Sequence, residues 1–312
     1  MDNRLLIGID GGGTKTDFVL CSVEGFIKKR IFLGTSNPND IGIDNCCHIL
    51  KKGISILLES ENAIGGIYAG ISGGTTGQNQ NKIYCFLHNH FPTIAIQNNS
   101  DAAIVMSSCI NSKQGIAVIS GTGSVAFARE NGILHRVGGW GFLFDEAGSG
   151  YNLGKDAIRA VLAEEDGTGE TTLLTPLLYK EMHSSIWDSL DDIYAKGKPY
   201  IASFAPLVFQ AYEKGDNIAK DIIRKSAHYL SELILKCSHL YDCGNDVVIT
   251  GGLFNKKGIL LPFMEEILQN NFHFIVPSTP PVYGALVECC NMQNIDADAS
   301  FKNNFMNSLK EI

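Results

Sequence analysis

The feature that most constrains this chain is a strand, a glycine–threonine turn and a second strand, and it occurs twice. Leu5-Leu6-Ile7-Gly8-Ile9-Asp10 runs into Gly11-Gly12-Gly13-Thr14-Lys15-Thr16 and out through Asp17-Phe18-Val19-Leu20. Gly115-Ile116-Ala117-Val118-Ile119-Ser120 runs into Gly121-Thr122-Gly123-Ser124 and out through Val125-Ala126-Phe127-Ala128. Apolar runs bounded by such turns read as paired strands. A hairpin duplicated at domain spacing predicts two related α/β domains. The length agrees, since 312 residues at about 150 per domain gives two. The expected domains are 1–111 and 112–312, with the last helix returning to pack on the first. There is no proline-rich linker, so the two are expected to meet at a cleft.

Between the hairpins the pattern continues as α/β. Glu24-Gly25 makes a turn before a third strand, Phe26–Leu33. Apolar residues at 43, 47, 50, 54 and 57 lie on one face of a helix. A strand at Gly66–Ile71, a helix around 80–90 and a strand at Thr93–Gln97 follow, ending at Asn98-Asn99-Ser100-Asp101. Residues 150–245 are rich in helical pattern. A third apolar run, Val247–Thr250, breaks at Gly251-Gly252. A last strand is expected at Phe272–Val276 and a helix from Gly284 to about Cys290.

Composition narrows the function. Apolar residues at 45% and charged residues at 19% describe a globular chain and exclude disorder as its main state. Stretches such as Ala63–Ile71 are broken by glycine and fall far short of the roughly 18 residues that span a bilayer. The opening Met-Asp-Asn-Arg-Leu-Leu has no secretory pattern, so the expected location is cytoplasmic, without a membrane partner. Net charge is 25 − 33 = −8 with no basic stripe, which argues against nucleic acid. A small phosphorylated ligand stays possible, because backbone N–H groups hold phosphate without a basic surface. Nine cysteines without a Cys-x-x-Cys pair fit neither a disulfide framework nor a zinc ribbon and read as buried thiols. His88-x-His90 has no third ligand nearby and reads as a surface pair at a helix end.

Glycine–threonine turns let backbone N–H groups approach an anion closely. Two familiar phosphate motifs fail here. Thr14 stands where the P-loop needs lysine, and Thr16 where the dinucleotide pattern needs its third glycine. Both motifs also need a helix after the loop, where this sequence has a strand. Asp10 beside the first turn would disfavour phosphate unless a cation lay between them, which points to magnesium; alternatively it caps the turn. Asp101, where a strand gives way to a helix, suits a helix cap on position alone, or a general base for a hydroxyl attacking a phosphate.

Four segments in order carry a resemblance. They are Ile9–Thr16, Ile119–Ser124, Gly138-Gly139-Trp140-Gly141 and Ala147-Gly148-Ser149-Gly150-Tyr151. From about residue 5 to 290 the chain resembles the BadF/BadG/BcrA/BcrD ATPase family, and within it the N-acetylglucosamine kinases. The resemblance implies two actin-like ATPase (ribonuclease H-like) α/β domains with a central nucleotide and sugar cleft. It implies ATP and Mg2+ as cofactors and transfer of phosphate to the 6-hydroxyl of N-acetylglucosamine or N-acetylmuramic acid, in a homodimer.

Carried over by position, Gly11, Gly12, Gly13 and Thr14, with Lys15, and Gly121, Thr122 and Gly123 would bind the phosphates. Asp10 would position magnesium, and Gly251 and Gly252 would lie against the adenosine. Asn37, Ser124, Gly139, Trp140 and Gly141 would face the sugar, and Asp101 would hold its hydroxyl and act as base. Many relatives read Gly-Asp-Glu-Gly-Ser where this chain has Asp145-Glu146-Ala147-Gly148-Ser149, so either Asp145 or Glu146 would meet the sugar. Two alternatives remain. One is a glucosamine kinase. The other is an ATPase activating a dehydratase partner through an iron–sulfur cluster, which the absence of cysteine between Cys109 and Cys237 disfavours.

Overall fold

A run buried along nearly its whole length makes an interior strand, and Leu5–Gly11 is such a run. In the computed structural model, which describes residues 3–59, 63–110 and 112–311, it forms strand β1. β1 pairs antiparallel with β2 (Lys15–Ser22), and β2 with β3 (Ile27–Gly34). On its other side β1 pairs parallel with β4 (Ile64–Ile71), and β4 with β5 (Ala95–Ser100). The sheet order is therefore β3-β2-β1-β4-β5. Helices α1 (Pro38–Ile41) and α2 (Ile43–Leu58) join β3 to β4, α3 (Asn79–His90) joins β4 to β5, and α4 (Asp101–Ser107) follows β5. α2 buries Cys46, Cys47, Leu50, Ile54 and Leu57 in one cluster with Ile7, Ile9, Phe18 and Leu20 of the sheet.

The second sheet repeats the plan. It is built from β6 (Gly115–Ser120), β7 (Ser124–Glu130), β8 (Ile133–Val137), β9 (Asp246–Thr250) and β10 (His273–Ile275), in the order β10-β9-β6-β7-β8. β6 is antiparallel to β7 and parallel to β9, as β1 is to β2 and β4. Counted from its own first strand, each sheet has the order 3-2-1-4-5. Five helices separate β8 from β9: α5 (Gly150–Glu165), α6 (Leu174–Met182), α7 (Leu190–Ser203), α8 (Ala205–Glu213) and α9 (Asn217–Leu240). α10 (Lys257–Leu268) joins β9 to β10, and α11 (Pro281–Met292) and α12 (Ala299–Glu311) end the chain.

The chain divides into one unit of Met1–Ser112 with Pro277–Ile312 and another of Lys113–Val276. Asn111, where the sequence analysis ends the first domain, lies outside the described residues. α11 packs Val282, Ala285, Leu286, Cys289 and Cys290 into one cluster with Leu6, Val19, Tyr68 and Ile104, and α12 adds Phe301 and Phe305. α12 and β8 are elements the sequence reading lacks. α12 is capped by Asp298, whose carboxylate accepts the Phe301 N–H at 2.9 Å. β8 exposes Ile133, alternates weakly and lies at a sheet edge.

The cysteines carry no disulfide, and seven of them are buried. His88 and His90 sit in the last turn of α3, stacked on or tilted against Tyr84 and Phe86. Among the described residues no helix is long and apolar enough to cross a membrane.

One contact in the first unit fixes how closely two helices approach. A Cβ built on Gly284 of α11 would lie 1.8 Å from the Ile104 carbonyl oxygen of α4. Only a residue without a side chain lets the two backbones touch. Gly284→Ala is expected to destabilise the protein by about 2 kcal/mol despite the better helix propensity of alanine. Urea unfolding measures this, and a variant as stable as wild type would contradict the close packing.

Candidate active site

In the first unit, strand register brings the site residues to one end of the sheet. Asp10 is opposite Asp17 and Gly70, Gly11 is opposite Ile71, and Ile71 is opposite Ser100. The Gly11–Lys15 turn, the segment after β4 and the start of α4 therefore share the carboxyl end of the parallel strands. Ligands of open α/β sheets bind at this end.

The turn is held by its acceptors. The Gly11 carbonyl accepts the Ser72 N–H at 2.8 Å. The Gly12 carbonyl accepts the Ser36 N–H at 3.2 Å and the Thr35 hydroxyl at 3.0 Å. The Gly12 N–H donates back to Lys15 at 3.0 Å. Thr16, buried beneath, places its hydroxyl 2.7 Å from the Gly34 carbonyl and 2.8 Å from the Ser36 hydroxyl. With these carbonyls engaged, the exposed Gly13 and Thr14 N–H groups donate to no described residue. Unbonded N–H groups in a glycine-rich turn are the kind that can hold an anion. The Lys15 ammonium rests 4.6 Å from the centroid of the Phe32 ring.

Three carboxylates gather beside this turn. Burial pushes the Asp10 carboxyl from its ordinary 3.8 up to about 7; the charges of Asp17 and Asp101 act the same way, and Lys15 opposes them. Asp17 is held in a two-point pair with Arg30, at 2.7 and 3.0 Å. Asp101 is the first residue of α4, and its carboxylate accepts the Ala102 N–H at 3.0 Å. Burial raises its carboxyl too, against hydrogen bonds from Ser72 and Ala102 that lower it. Among the described residues no group of three or more His, Cys, Asp or Glu is placed to hold a metal by itself. A magnesium ion that keeps water and completes its shell with phosphate oxygens needs only one or two carboxylates. Asp10, half-buried, with its carboxyl raised chiefly by burial and further by Asp17 and Asp101, has the chemistry of such a donor. Asn37 caps α1: its side chain accepts the Asn39 N–H at 3.0 Å and donates to Asp40 at 2.7 Å.

The second unit repeats the turn with different surroundings. The Gly121 N–H donates to the Gly123 carbonyl at 2.8 Å, the Gly121 carbonyl accepts the Gly150 N–H at 2.7 Å, and the Thr122 carbonyl accepts the Tyr151 N–H at 3.4 Å. Again the exposed N–H groups, those of Thr122 and Gly123, donate to no described residue. Beside the turn lies a cavity of about 580 Å³, lined by Gly121, Thr122, Gly150, Phe209, Gly252 and Lys256 among others. That is within the usual range for a small-molecule site.

The two glycines after β9 have different reasons. Gly251 has φ +105°, and a Cβ there would lie 2.2 Å from the Ser120 carbonyl oxygen, so the neighbouring strand dictates it. Gly252 faces open space and lines the cavity.

The structure also separates Asp145 from Glu146. Asp145 is buried and accepts the Trp140 N–H at 3.2 Å, the Gly141 N–H at 2.8 Å and the Tyr229 hydroxyl at 3.0 Å. It ties down the loop that holds Gly139, Trp140 and Gly141. Glu146 is exposed and hydrogen-bonded to none of the described residues. Trp140 is 70% exposed, with the Arg136 guanidinium 5.2 Å from its ring centroid. Ser124 is buried, with its hydroxyl 3.4 Å from the Ala147 carbonyl.

The sequence reading passed over Ser72, although Ser72-Gly73-Gly74-Thr75-Thr76 is another glycine–threonine turn at the end of an apolar strand. It also passed over Asp17 and Arg30, whose pairing needs the register of β2 against β3.

The chain matches the BadF/BadG/BcrA/BcrD ATPase family over residues 7–288. It belongs to that family. It is 30% identical over 285 residues to the N-acetylmuramic acid/N-acetylglucosamine kinase of Clostridium acetobutylicum, spanning 86% of this chain and 92% of that relative. It is 30% identical over 297 residues to the N-acetyl-D-glucosamine kinase of Dictyostelium discoideum, spanning 87% and 92%. A solved structure from Chromobacterium violaceum, assigned as an N-acetylglucosamine kinase, matches with a TM-score of 0.70 at 21% identity, over 93% of this chain and all of that one. The fold of this BadF-family protein is thus the two-sheet, actin-like ATPase fold of the sugar kinases.

The raised Asp10 carboxyl has a consequence for stability. Folding strengthens its hold on a proton, so the wild-type fold is penalised increasingly as pH rises from about 4 to about 7, and fully above that. Asp10→Asn removes the charge. In metal-free buffer its stability advantage over wild type is expected to grow from near zero at about pH 4 to on the order of 2 kcal/mol at about pH 8. Denaturant unfolding at the two pH values checks this, and an advantage that does not change with pH would contradict it.

Proposed function

We propose that this protein is an ATP-dependent kinase that phosphorylates N-acetylglucosamine or N-acetylmuramic acid at the 6-hydroxyl, with Asp101 as general base. The observation that carries the reading is the setting of Asp101. It is a largely buried carboxylate, oriented by Ser72 and the Ala102 N–H, at the same sheet end as Asp10 and the donor-rich first turn. Burial makes it a better proton acceptor than an exposed aspartate while its two hydrogen bonds fix its direction. The two relatives that are 30% identical over most of the chain are kinases of these amino sugars, which supports the substrate class.

In this reading the cavity of the second unit takes the nucleoside, and the free N–H groups of Thr122 and Gly123 take its phosphates. Asp10 carries the magnesium ion. ATP supplies the phosphoryl group. Transfer of this kind needs little covalent help from the protein, so positioned donors and an oriented hydroxyl supply most of the stabilisation. Asp101 orients the sugar hydroxyl and accepts its proton. Of the two adjacent carboxylates, Glu146 is the sugar contact, because three donors already occupy Asp145.

A coupled assay of ADP release with Mg·ATP tests this, using N-acetylglucosamine, N-acetylmuramic acid, glucosamine and glucose in turn. Sugar-dependent turnover is expected with one or both N-acetylated sugars, and Asp101→Asn should lower it by about 10²-fold or more. ADP release indifferent to every sugar would overturn the reading. In the same assay Glu146→Gln should raise KM for the sugar with little change in melting temperature. Asp145→Asn should instead lower the melting temperature, since it weakens two backbone anchors of the loop.

A further inference from the structure

Lys198 sits at the second turn. Its ammonium lies 3.6 Å from where a Cβ on Gly123 would be. It is half-buried and ion-paired to no carboxylate among the described residues, and the Phe142 ring centroid lies 5.6 Å from its ammonium. Lys196, two residues earlier, is exposed and bound to Asp192 at 2.7 Å. Lys256, on the cavity wall, is bound to Glu213 at 2.8 Å. An ammonium with no carboxylate partner, beside unbonded backbone N–H groups, is placed to meet a ligand that brings negative charge.

The backbone places this side chain by specific means. α7 is broken at Gly197, which has φ +59° and ψ −146°, and Pro199 lies two residues on, so that Lys198 stands between them. Beyond the break α7 presses on α5: a Cβ on Gly154 would lie 1.9 Å from the Ile201 carbonyl oxygen. α5 is itself bonded to the turn, through the Gly150 N–H on the Gly121 carbonyl. Turn, α5 and α7 thus form one connected support, and Lys198 is the cation it delivers to the unpaired N–H groups of Thr122 and Gly123.

We propose that Lys198 donates to the phosphate received by the Gly121–Gly123 turn, so that the second unit binds nucleoside polyphosphate through a lysine as well as backbone. The inference rests on the nucleotide reading of the cavity given above. An ammonium is a compact point charge that suits phosphate and adds nothing for an uncharged nucleoside. Affinity for ADP and for adenosine therefore separates its contribution.

Isothermal titration of the full chain without sugar provides the test. Wild type is expected to bind both ADP and adenosine. Lys198→Ala should weaken ADP by about tenfold or more and leave adenosine unchanged. Lys198→Arg should keep most of the ADP affinity, and Lys196→Ala should match wild type. ADP binding by Lys198→Ala within about twofold of wild type would overturn the proposal and leave the nucleotide reading standing. Equal losses of ADP and adenosine would also overturn it, because Lys198 would then shape the cavity instead of meeting phosphate. A wild-type protein that binds neither ligand would overturn both readings.

Discussion

Every peptide unit brings one donor and one acceptor, and in both hairpin turns the carbonyls that flank the tip are taken up by the protein itself. Ser36, Thr35 and Ser72 hold the Gly11 and Gly12 carbonyls, while Gly150, Tyr151 and Gly121 hold those of the second turn. Each turn keeps N–H groups that donate to no described residue, those of Gly13 and Thr14 in one and of Thr122 and Gly123 in the other. Much of the surrounding architecture follows from this need. The segment after β3, the segment after β4 and the start of α5 all arrive at the turns to donate to carbonyl oxygens, and by doing so they bring their own side chains to the same sheet ends.

The two turns then diverge in charge. Asp10 precedes Gly11 at the end of the first strand of the first unit, and Ser120 holds the equivalent place before Gly121. The Ser120 hydroxyl is spent on the Gly148 carbonyl at 2.6 Å, so that position in the second unit is structural. The first unit instead concentrates acids, with Asp10, Asp17 and Asp101 close enough for the latter two to raise the proton affinity of the first. The second unit has an apolar-walled cavity and an uncompensated lysine. A duplicated backbone thus carries a cluster of acids at one turn and an ammonium without a carboxylate partner at the other.

Much of this was legible in residue order. The paired hairpins, the stripe on α2 and the strand-to-helix transition at Asp101 all rest on local periodicity and turn chemistry, which neighbours in sequence determine. The missed elements are those whose local signal is weak. β8 exposes Ile133 and mixes in His135 and Arg136, and α12 buries chiefly Phe301 and Phe305 on a polar background. Residue order also hides a constraint on Gly251, the Ser120 carbonyl of a strand 131 positions earlier. Lys198 was invisible for the same reason. Its position depends on a kink in α7 and on a helix contact at Gly154, neither of which alters the pattern around residue 198.

The Asp145–Glu146 pair shows what decides such cases. Both are carboxylates, adjacent in sequence, and either could be aligned with a sugar contact. A carboxylate taken out of water must have its lone pairs met. The two backbone N–H groups and the tyrosine hydroxyl at Asp145 meet that demand, so its charge is used in holding the Trp140 loop in place. Glu146 has no such partners and remains in water, where a ligand hydroxyl can displace solvent at little expense. The residue that builds the site and the residue available to a ligand are therefore neighbours distinguished by burial alone, a property that residue identity and spacing do not encode.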